Sequence, residues 1–269
     1  MNNLQARAAS AVVLAAAVLW LTWLGGMPFR LLAILGGAVV YYEWVSMAGL
    51  ATGRWLVGAI AAAIVAALFV WGLPAGILIV VLIAGIVVTA IVGWAFGRDL
   101  SAAAALCYAG FAAIALAFLR GDDGAGLRSM LFLFAVVWAT DIAAYAVGRT
   151  LGGPKLAPSI SPGKTWSGAI GGAVAGIAAG LGTAALAGIG ITGLLAATAL
   201  LLTIVSQAGD LFESAVKRHF GVKDSGHIIP GHGGLMDRVD GLVAAGFALY
   251  LIGAALAGLD HPSHGFFGP

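Results

Sequence analysis

Long apolar runs, separated by short polar or glycine-rich breaks, dominate the 269 residues of this chain. Runs of about 17 to 25 residues allow an α-helix to cross a hydrocarbon core about 30 Å thick. The pattern therefore predicts an all-α polytopic membrane protein with about nine transmembrane helices, near residues 8–24, 31–49, 55–72, 75–96, 101–119, 129–148, 166–187, 190–209 and 241–259.

Composition agrees with this architecture and argues against several classes of function. Hydrophobic residues make up 62% of the chain and charged residues 9%, whereas a soluble domain is typically no more than about half apolar. The net charge of +2, without a basic run interleaved with aromatics, argues against nucleic-acid binding. Because Cys107 is the single cysteine, disulfides and cysteine-based metal sites are unsupported.

The 13 Lys and Arg residues are distributed unevenly between the two sides of a nine-span arrangement. One side has three, Arg30, Arg120 and Arg128, and the other has ten, namely Arg7, Arg54, Arg98, Arg149, Lys155, Lys164, Lys217, Arg218, Lys223 and Arg238. The positive-inside rule then predicts a cytoplasmic N-terminus and an external C-terminus. All of the excess lies in two predicted cytoplasmic loops, 149–165 and 210–240, because the remaining bases are three on each side. The predicted orientation therefore depends on these loops.

Small residues recur along the seventh predicted span. Its glycines at a spacing of four are Gly168, Gly172, Gly176 and Gly180. Glycine lets membrane helices approach each other closely, so the stripe predicts tight packing against a helix of the same chain. A homodimer contact is the alternative that the pattern leaves open.

Charge is concentrated in residues 214–240, which hold four bases and three acids of a chain with only 13 bases and 11 acids. Pro230 and the glycines around it exclude a continuous helix in the middle of this segment. Glycines also let backbone N–H groups approach an anion closely. We therefore predict a phosphate-binding loop that includes His232, Gly233 and Gly234.

Acidic side chains flank this loop. Asp237 and Asp240 begin the ninth span, where capping of the helix is the favoured interpretation for Asp240. Asp210 ends the eighth span, and a carboxylate at membrane depth costs several kcal/mol unless it faces water, a metal or a cation. For Asp237, pairing with Asp210 around one Mg²⁺ is the sharper hypothesis, because that ion takes one or two carboxylates plus phosphate oxygens.

One helix face at the end of the eighth span is polar and carries Asp210, Glu213, Ser214, Lys217 and Arg218. The spacing of i, i+3, i+4, i+7 and i+8 brings these side chains onto the same side of the helix. An internal salt bridge from Asp210 or Glu213 to a base such as Lys217 is the structural alternative to a functional face.

A third polar cluster begins inside the sixth span. Asp141 and Tyr145 share a helix face, so they either bond each other or line the same cavity as Asp210. The following loop offers cations and hydroxyls suited to a polyphosphate, namely Lys155, Ser159, Ser161, Lys164 and Thr165, although interfacial anchoring is an alternative for the lysines. Glu43, in the second span, is either a functional acid or an interfacial residue among aromatics.

The segment Ser214–Asp240 resembles the signature of phosphatidate cytidylyltransferases, also called CDP-diacylglycerol synthases. That signature runs Ser-x2-Lys-Arg-x4-Lys-Asp and, after a spacer, Pro-x-His-Gly-Gly-x2-Asp-Arg-x-Asp. Every fixed position is present, as Ser214, Lys217, Arg218, Lys223, Asp224, Pro230, His232, Gly233, Gly234, Asp237, Arg238 and Asp240. Residues 209–214 and 161–166 resemble the family too, so the similarity extends over roughly residues 130–259.

The resemblance implies a Mg²⁺-dependent enzyme, with a second cation left open, that joins CTP and phosphatidic acid into CDP-diacylglycerol and pyrophosphate at the cytoplasmic face of the inner membrane. It implies that Asp210 and Asp237 are metal ligands. We expect Asp141, Ser214 and Lys217 to complete the catalytic residues. Phosphate contacts are expected from Lys155, Ser161, Lys164, Arg218, Lys223, His232, Gly233, Gly234 and Arg238.

Two other membrane functions agree less well with the residues. An ion-coupled transporter also buries acids, but it predicts inverted repeats, and the polar signature occurs once. A phosphatidyltransferase predicts an Asp-Gly-x2-Ala-Arg pattern that this sequence lacks. We therefore expect residues 1–128 to form N-terminal membrane helices and residues 129–269 to form the catalytic membrane region.

Overall fold

The computed structural model describes residues 3–50, 52–97, 99–229 and 233–268, with the side chains of all of these except 3–11, 52 and 54. Helices and one two-stranded hairpin make up this part of the chain. The helices are α1 (Asn3–Leu24), α2 (Gly26–Met47), α3 (Thr52–Val70), α4 (Ala75–Gly97), α5 (Ser101–Arg120), α6 (Gly124–Leu151), α7 (Trp166–Leu186), α8 (Gly193–His219), α9 (Met236–Ala257) and α10 (His264–Phe267). The strands are β1 (Lys155–Ala157) and β2 (Ser161–Thr165).

Each predicted span overlaps one of the long helices. Among the described residues, seven helices, α2 and α4 to α9, are long and apolar enough to cross a membrane. The apolar stretches of α1 and α3 are shorter, at Val12–Leu24 and Trp55–Val70. The prediction of an all-α polytopic membrane protein is confirmed.

Contacts divide the chain into two compact units. Unit 1 comprises Met1–Asp122 and Val222–Arg238, and unit 2 comprises Asp123–Gly221 and Val239–Pro269. The predicted division at residue 128 concerned the roles of the two halves, and it stays a prediction.

The segment predicted as a loop at 149–165 contains the hairpin. In it, β1 pairs antiparallel with β2, and Lys155 lies opposite Thr165. Thr165 also caps α7, since its Oγ1 accepts a hydrogen bond from the Gly168 N–H at 3.1 Å. A short sheet, tied directly to a membrane helix, therefore holds the polar side chains of this segment.

The segment predicted as a loop at 210–240 is helical at both ends, because α8 continues to His219 and α9 begins at Met236. The last turn of α8 contains Lys217, Arg218 and His219. Basic side chains there interact favourably with the negative end of the helix dipole, which supports the extension. Asp210 and the four polar residues that follow it to Arg218 therefore all lie on α8, and the prediction that this stretch is helical is confirmed.

The glycine stripe of α7 packs against α6, which confirms the prediction of internal packing. A Cβ added at Gly172 would lie 2.7 Å from the Thr140 carbonyl oxygen. One at Gly168 would lie 2.6 Å from that of Ala144. Only a residue without a side chain permits such an approach. The stripe is thus covered within one chain, and the homodimer stays a prediction.

Candidate active site

A cavity of about 530 Å³ lies in unit 2 between α6, the hairpin, α7 and α8, and we call it the hairpin cavity. Several of the predicted site residues line it, namely Asp141, Lys155, Ser161, Lys164 and Asp210. These residues come from α6, from the hairpin and from α8. The fold therefore brings Asp210 of α8 into one space with α6 and the hairpin, two consecutive segments that lie well before it in the sequence.

Asp210 and Lys164 form an ion pair at the wall of the hairpin cavity. Lys164 Nζ lies 2.5 Å from Asp210 Oδ2. The Ser214 hydroxyl donates a longer hydrogen bond, of 3.4 Å, to Asp210 Oδ1. The ammonium group compensates a carboxylate that would be costly without a partner in a membrane helix. Ser214, a predicted catalytic residue, contacts the site through Asp210.

Three carboxylates interact electrostatically with the ammonium group of Lys164. The charges of Asp141 and Asp240 both interact with the charge of Asp210 and with that of Lys164. When all three acids are ionised, one ammonium group leaves most of their charge uncompensated. A polyvalent cation is the natural counter-charge for such a cluster.

Asp240 was favoured as a helix cap on sequence grounds, and that prediction is wrong. Helix α9 begins at Met236, so Asp240 is its fifth residue, beyond the four N–H groups that need a capping partner. Gly209 explains how this acid comes near the cavity. A Cβ at Gly209 would lie 2.9 Å from the Asp240 carbonyl oxygen, so glycine lets α9 approach α8 next to Asp210.

The oxygen donors of the cluster suit Mg²⁺, which prefers carboxylates, water and phosphate oxygens. Among the residues that the structure describes, no group of three or more His, Cys, Asp or Glu side chains is arranged to hold a metal ion. Mg²⁺ is commonly bound through one or two carboxylates, with substrate phosphates completing its ligands. The donor set therefore fits Mg²⁺ together with a phosphate substrate.

Lys217, also predicted to be catalytic, pairs with an acid of its own helix. Its Nζ lies 2.7 Å from Glu213 Oε2, and the two side chains are 12% and 1% exposed. The internal salt bridge considered for this helix face is thus present at Glu213, whereas Asp210 pairs with Lys164 of the hairpin. Arg218 is exposed near the end of α8. The catalytic role of Lys217 and the phosphate contact of Arg218 stay predictions.

The segment 222–235, which we call the signature loop, belongs to unit 1, and its described residues, 222–229 and 233–235, lie outside the helices. Asp237, just after the loop, accepts hydrogen bonds of 3.0 Å from the N–H groups of Ser225 and Gly234. Gly233 has a φ of +85°, a conformation that glycine adopts without strain. Lys223 and Arg238 are exposed, and His232 lies outside the described residues. The phosphate contacts predicted for this loop stay predictions.

Glu43 of α2 holds the end of the signature loop. It is 1% exposed, and its carboxylate accepts hydrogen bonds of 2.8 Å from the N–H groups of Leu235 and Met236. From the sequence alone, Glu43 is either a functional acid or an interfacial residue. Its burial excludes the interfacial alternative.

Comparison with known protein families assigns this chain to one of them. A model of the cytidylyltransferase family matches residues 5–256. The chain belongs to this family.

Two relatives of this cytidylyltransferase match it over nearly its whole length, and a third matches about half of it. A phosphatidate cytidylyltransferase of Brucella suis biovar 1 (strain 1330) is 50% identical over 281 aligned residues, covering 99% of each chain. One of Brucella abortus biovar 1 (strain 9-941) is 49% identical with the same coverage. A phosphatidate cytidylyltransferase of Staphylococcus saprophyticus subsp. saprophyticus is 44% identical over 140 residues, 51% of this chain and 54% of its own. The family predicted from the signature is confirmed.

The cytidylyltransferase signature is divided between the two units. Its beginning, from Ser214 to Arg218, lies in unit 2, whereas Lys223 and Asp237 lie in unit 1. The expected pairing of Asp210 with Asp237 therefore joins residues of different units, and it stays a prediction.

Further polar residues line the hairpin cavity of this cytidylyltransferase, namely Tyr145, Arg149, Thr165 and Gln207. Tyr145 and Thr165 were candidates from the sequence, whereas Arg149 and Gln207 were not predicted as site residues. Arg149 Nη1 donates a hydrogen bond of 2.9 Å to the Tyr145 hydroxyl. Of the two alternatives for Tyr145, the structure supports a shared cavity with Asp141 and Asp210. A signal for Arg149 was available, because Asp141, Tyr145 and Arg149 follow each other at i, i+4 and i+8 on one helix face.

Proposed function

We propose that this chain transfers CMP from CTP to phosphatidic acid, giving CDP-diacylglycerol and pyrophosphate in phospholipid synthesis. Membership of the cytidylyltransferase family supports a CTP-dependent transfer. The names of its full-length relatives support phosphatidic acid as the acceptor. The observation that carries the proposal is the hairpin cavity, in which acids suited to a cation face lysines suited to phosphates.

The nucleophile of this reaction comes with the lipid substrate. A phosphomonoester has a second pKa of about 6, so phosphatidic acid is largely dianionic near pH 7. One of its oxygens forms the new bond to the α-phosphorus of CTP. The bond from that phosphorus to the bridging oxygen breaks, and pyrophosphate leaves with the electron pair. The protein therefore has to align two phosphates and neutralise charge, without a strong general base.

Residues of the hairpin cavity supply both requirements. We assign its cationic side chains, Arg149, Lys155 and Lys164, to the phosphates, with the Ser161 hydroxyl as a further donor. Asp141 and Asp210, which line the cavity, would hold Mg²⁺ together with phosphate oxygens, and the ion would supply positive charge to the transferred and leaving phosphates. Lys164 already lies beside Asp210 and so is placed to orient a phosphate bound there.

A site at the cytoplasmic face of the inner membrane suits both substrates. Phosphatidic acid stays in the bilayer, whereas CTP arrives from water. The excess of ten bases over three supports a cytoplasmic N-terminus, an external C-terminus and a cytoplasmic hairpin. A reporter enzyme that is active only outside the cytoplasm is expected to be active when it is fused to the C-terminus. An inactive fusion that is present in the membrane in normal amount would contradict this orientation.

The direct test uses the purified protein in mixed micelles with radiolabelled CTP, phosphatidic acid and Mg²⁺. We expect a labelled CDP-lipid, with none formed in the presence of EDTA. Diacylglycerol is the matched control for the acceptor, because it has the same chains and no phosphate nucleophile. A folded sample that forms no CDP-lipid contradicts the proposal and favours the transporter alternative.

The variant Lys164→Gln is expected to lower kcat/KM for CTP about 10- to 100-fold, because a hydrogen bond to a charged group contributes about 1.5–3 kcal/mol. Steady-state rates at varied CTP concentration measure the change. Arg30→Gln is the matched control, since Arg30 also pairs with an aspartate, Asp122, at 2.9 Å, but does not line the hairpin cavity. Equal losses in the two variants would argue against a specific role for Lys164.

A further inference from the structure

The first third of the chain contains a single acidic residue, Glu43. Glu43 is the first acidic residue of the sequence, and the next is Asp99. It lies within α2, with only 1% of its surface exposed. A buried carboxylate in a membrane helix is costly unless its oxygens are satisfied. The contacts of Glu43 therefore indicate why an acid occupies this position.

Both carboxylate oxygens of Glu43 bind the start of α9. Oε1 accepts a hydrogen bond of 2.8 Å from the Leu235 N–H, and Oε2 accepts one of 2.8 Å from the Met236 N–H. These groups belong to the N-terminus of a helix, where free N–H groups and the helix dipole attract negative charge. Glu43 thus acts as a helix cap that is contributed by another helix.

Ser225 connects this cap to Asp237. The Ser225 hydroxyl donates to Glu43 Oε2 at 3.1 Å, and its backbone N–H donates to Asp237 Oδ2 at 3.0 Å. Ser225 is itself 3% exposed, so water does not compete with these bonds. The position of the Asp237 carboxylate therefore depends on Ser225, and the position of Ser225 depends on Glu43.

Two glycines of the signature loop leave room for the Glu43 carboxylate. A Cβ at Gly234 would lie 2.8 Å from both carboxylate oxygens. One at Gly226 would lie 3.0 Å from Oε1. Both approaches are closer than van der Waals contact, and at Gly234 the Ser225 hydroxyl is also that close, so these glycines leave room for Glu43 and its partner Ser225.

We propose that Glu43 is a positioning residue of the transferase: it holds the signature loop and Asp237 in the arrangement that the reaction requires. The inference rests on the proposed function, because the loop carries the family signature. It gives the N-terminal helices a role in the reaction besides anchoring the protein. Catalysis depends on exact placement, so a small displacement of the loop lowers the rate without abolishing substrate binding.

The test compares Glu43→Gln with the unchanged protein at a temperature well below unfolding. Glutamine keeps the shape, but its amide group directs a donor at a backbone N–H donor. We expect kcat per folded protein to fall about 10- to 100-fold, as for loss of charge-assisted hydrogen bonds. KM for CTP is expected to change less than about threefold, because a transition-state alignment is lost rather than a substrate contact. Hydrogen exchange at the Leu235 and Met236 amides is expected to become at least about tenfold faster.

Thr89→Val is the matched control. Thr89 is also a polar residue of unit 1 with 2% exposure, but within the described part of the chain its hydroxyl bonds only to its own helix, at the Gly85 carbonyl 2.7 Å away. We expect its kcat and the exchange of the loop amides to stay within about twofold of those of the unchanged protein, because only one local hydrogen bond is lost.

A second variant keeps the inference testable if Glu43→Gln fails to fold. Ser225→Ala leaves the carboxylate and removes one hydrogen bond, so kcat is expected to fall about 3- to 10-fold. A kcat within twofold of the unchanged protein, in whichever of the two variants folds, would overturn the positioning role even if the unfolding temperature drops. If the unchanged protein formed no CDP-lipid, the proposed function would be overturned instead. Amide exchange would still test whether Glu43 stabilises the loop through its hydrogen bonds.

Discussion

Asp210→Asn is expected to lower the kcat of cytidylyl transfer about 100- to 1,000-fold, the usual cost of removing one preorganised electrostatic partner of a transition state. Asparagine has nearly the same size but lacks the charge that lies 2.5 Å from Lys164. In the proposed site the Asp210 carboxylate would be a ligand of Mg²⁺. The labelled-CTP assay over a range of Mg²⁺ concentrations measures the loss, and size-exclusion chromatography checks that the variant is folded.

Asp122→Asn is the control for this prediction. Asp122 also pairs with a base, Arg30, at 2.9 Å, but its side chain is 64% exposed. An exposed ion pair contributes at most about 1 kcal/mol to stability, so activity is expected to stay within about twofold. If Asp210→Asn kept more than half of the activity at saturating Mg²⁺, Asp210 would have no place in the metal site.

Gly176→Ala is expected to destabilise the protein by about 2 kcal/mol or more, the cost of forcing an extra methyl group into a tightly packed interior. The added Cβ would lie 2.7 Å from Thr203 Cγ2 and 2.9 Å from the Val136 carbonyl oxygen. A backbone oxygen is displaced only if α6 moves, and α6 carries Asp141. Thermal unfolding in detergent measures the loss, and the midpoint is expected to fall.

Gly182→Ala is a control on the same helix. Apart from the neighbouring turns of its own helix, no described residue has a heavy atom within 4 Å of a Cβ added there. Alanine favours the helical state over glycine by about 1 kcal/mol, so the unfolding midpoint is expected to stay unchanged or to rise. Equal decreases in the two variants would contradict the packing of α6 against the glycine stripe.

Periodic features of this chain could be predicted from the sequence because their physics is local. A run of apolar residues long enough for the bilayer has to be helical, since lipid offers no partners for backbone N–H and C=O groups. The stripe from Gly168 to Gly180 likewise predicted a close approach, because helical spacing alone puts these residues on one face. The partner helix, α6, was not predictable from that spacing.

Site residues were predictable where charge was unexpected, and they were missed where a simpler local role existed. Asp141 and Asp210 stood out because carboxylates are rare in apolar runs. Asp240 had a sufficient local explanation as a helix cap, so its approach to Asp210 became apparent only once α8 and α9 were packed. Arg149 was hidden in the same way, counted as a topological charge at a helix end.

The sequence by itself determined the class of this protein: membrane helices, one charged signature and a cytidylyltransferase family. The tertiary structure alone decided which charges meet, namely Lys164 with Asp210 in the hairpin cavity and Glu43 with the start of α9. The physical reason is that hydrophobic length and helical spacing act between neighbours in sequence. The partner of a buried charge, in contrast, is set by which helices pack together, and that depends on contacts distributed over the whole fold.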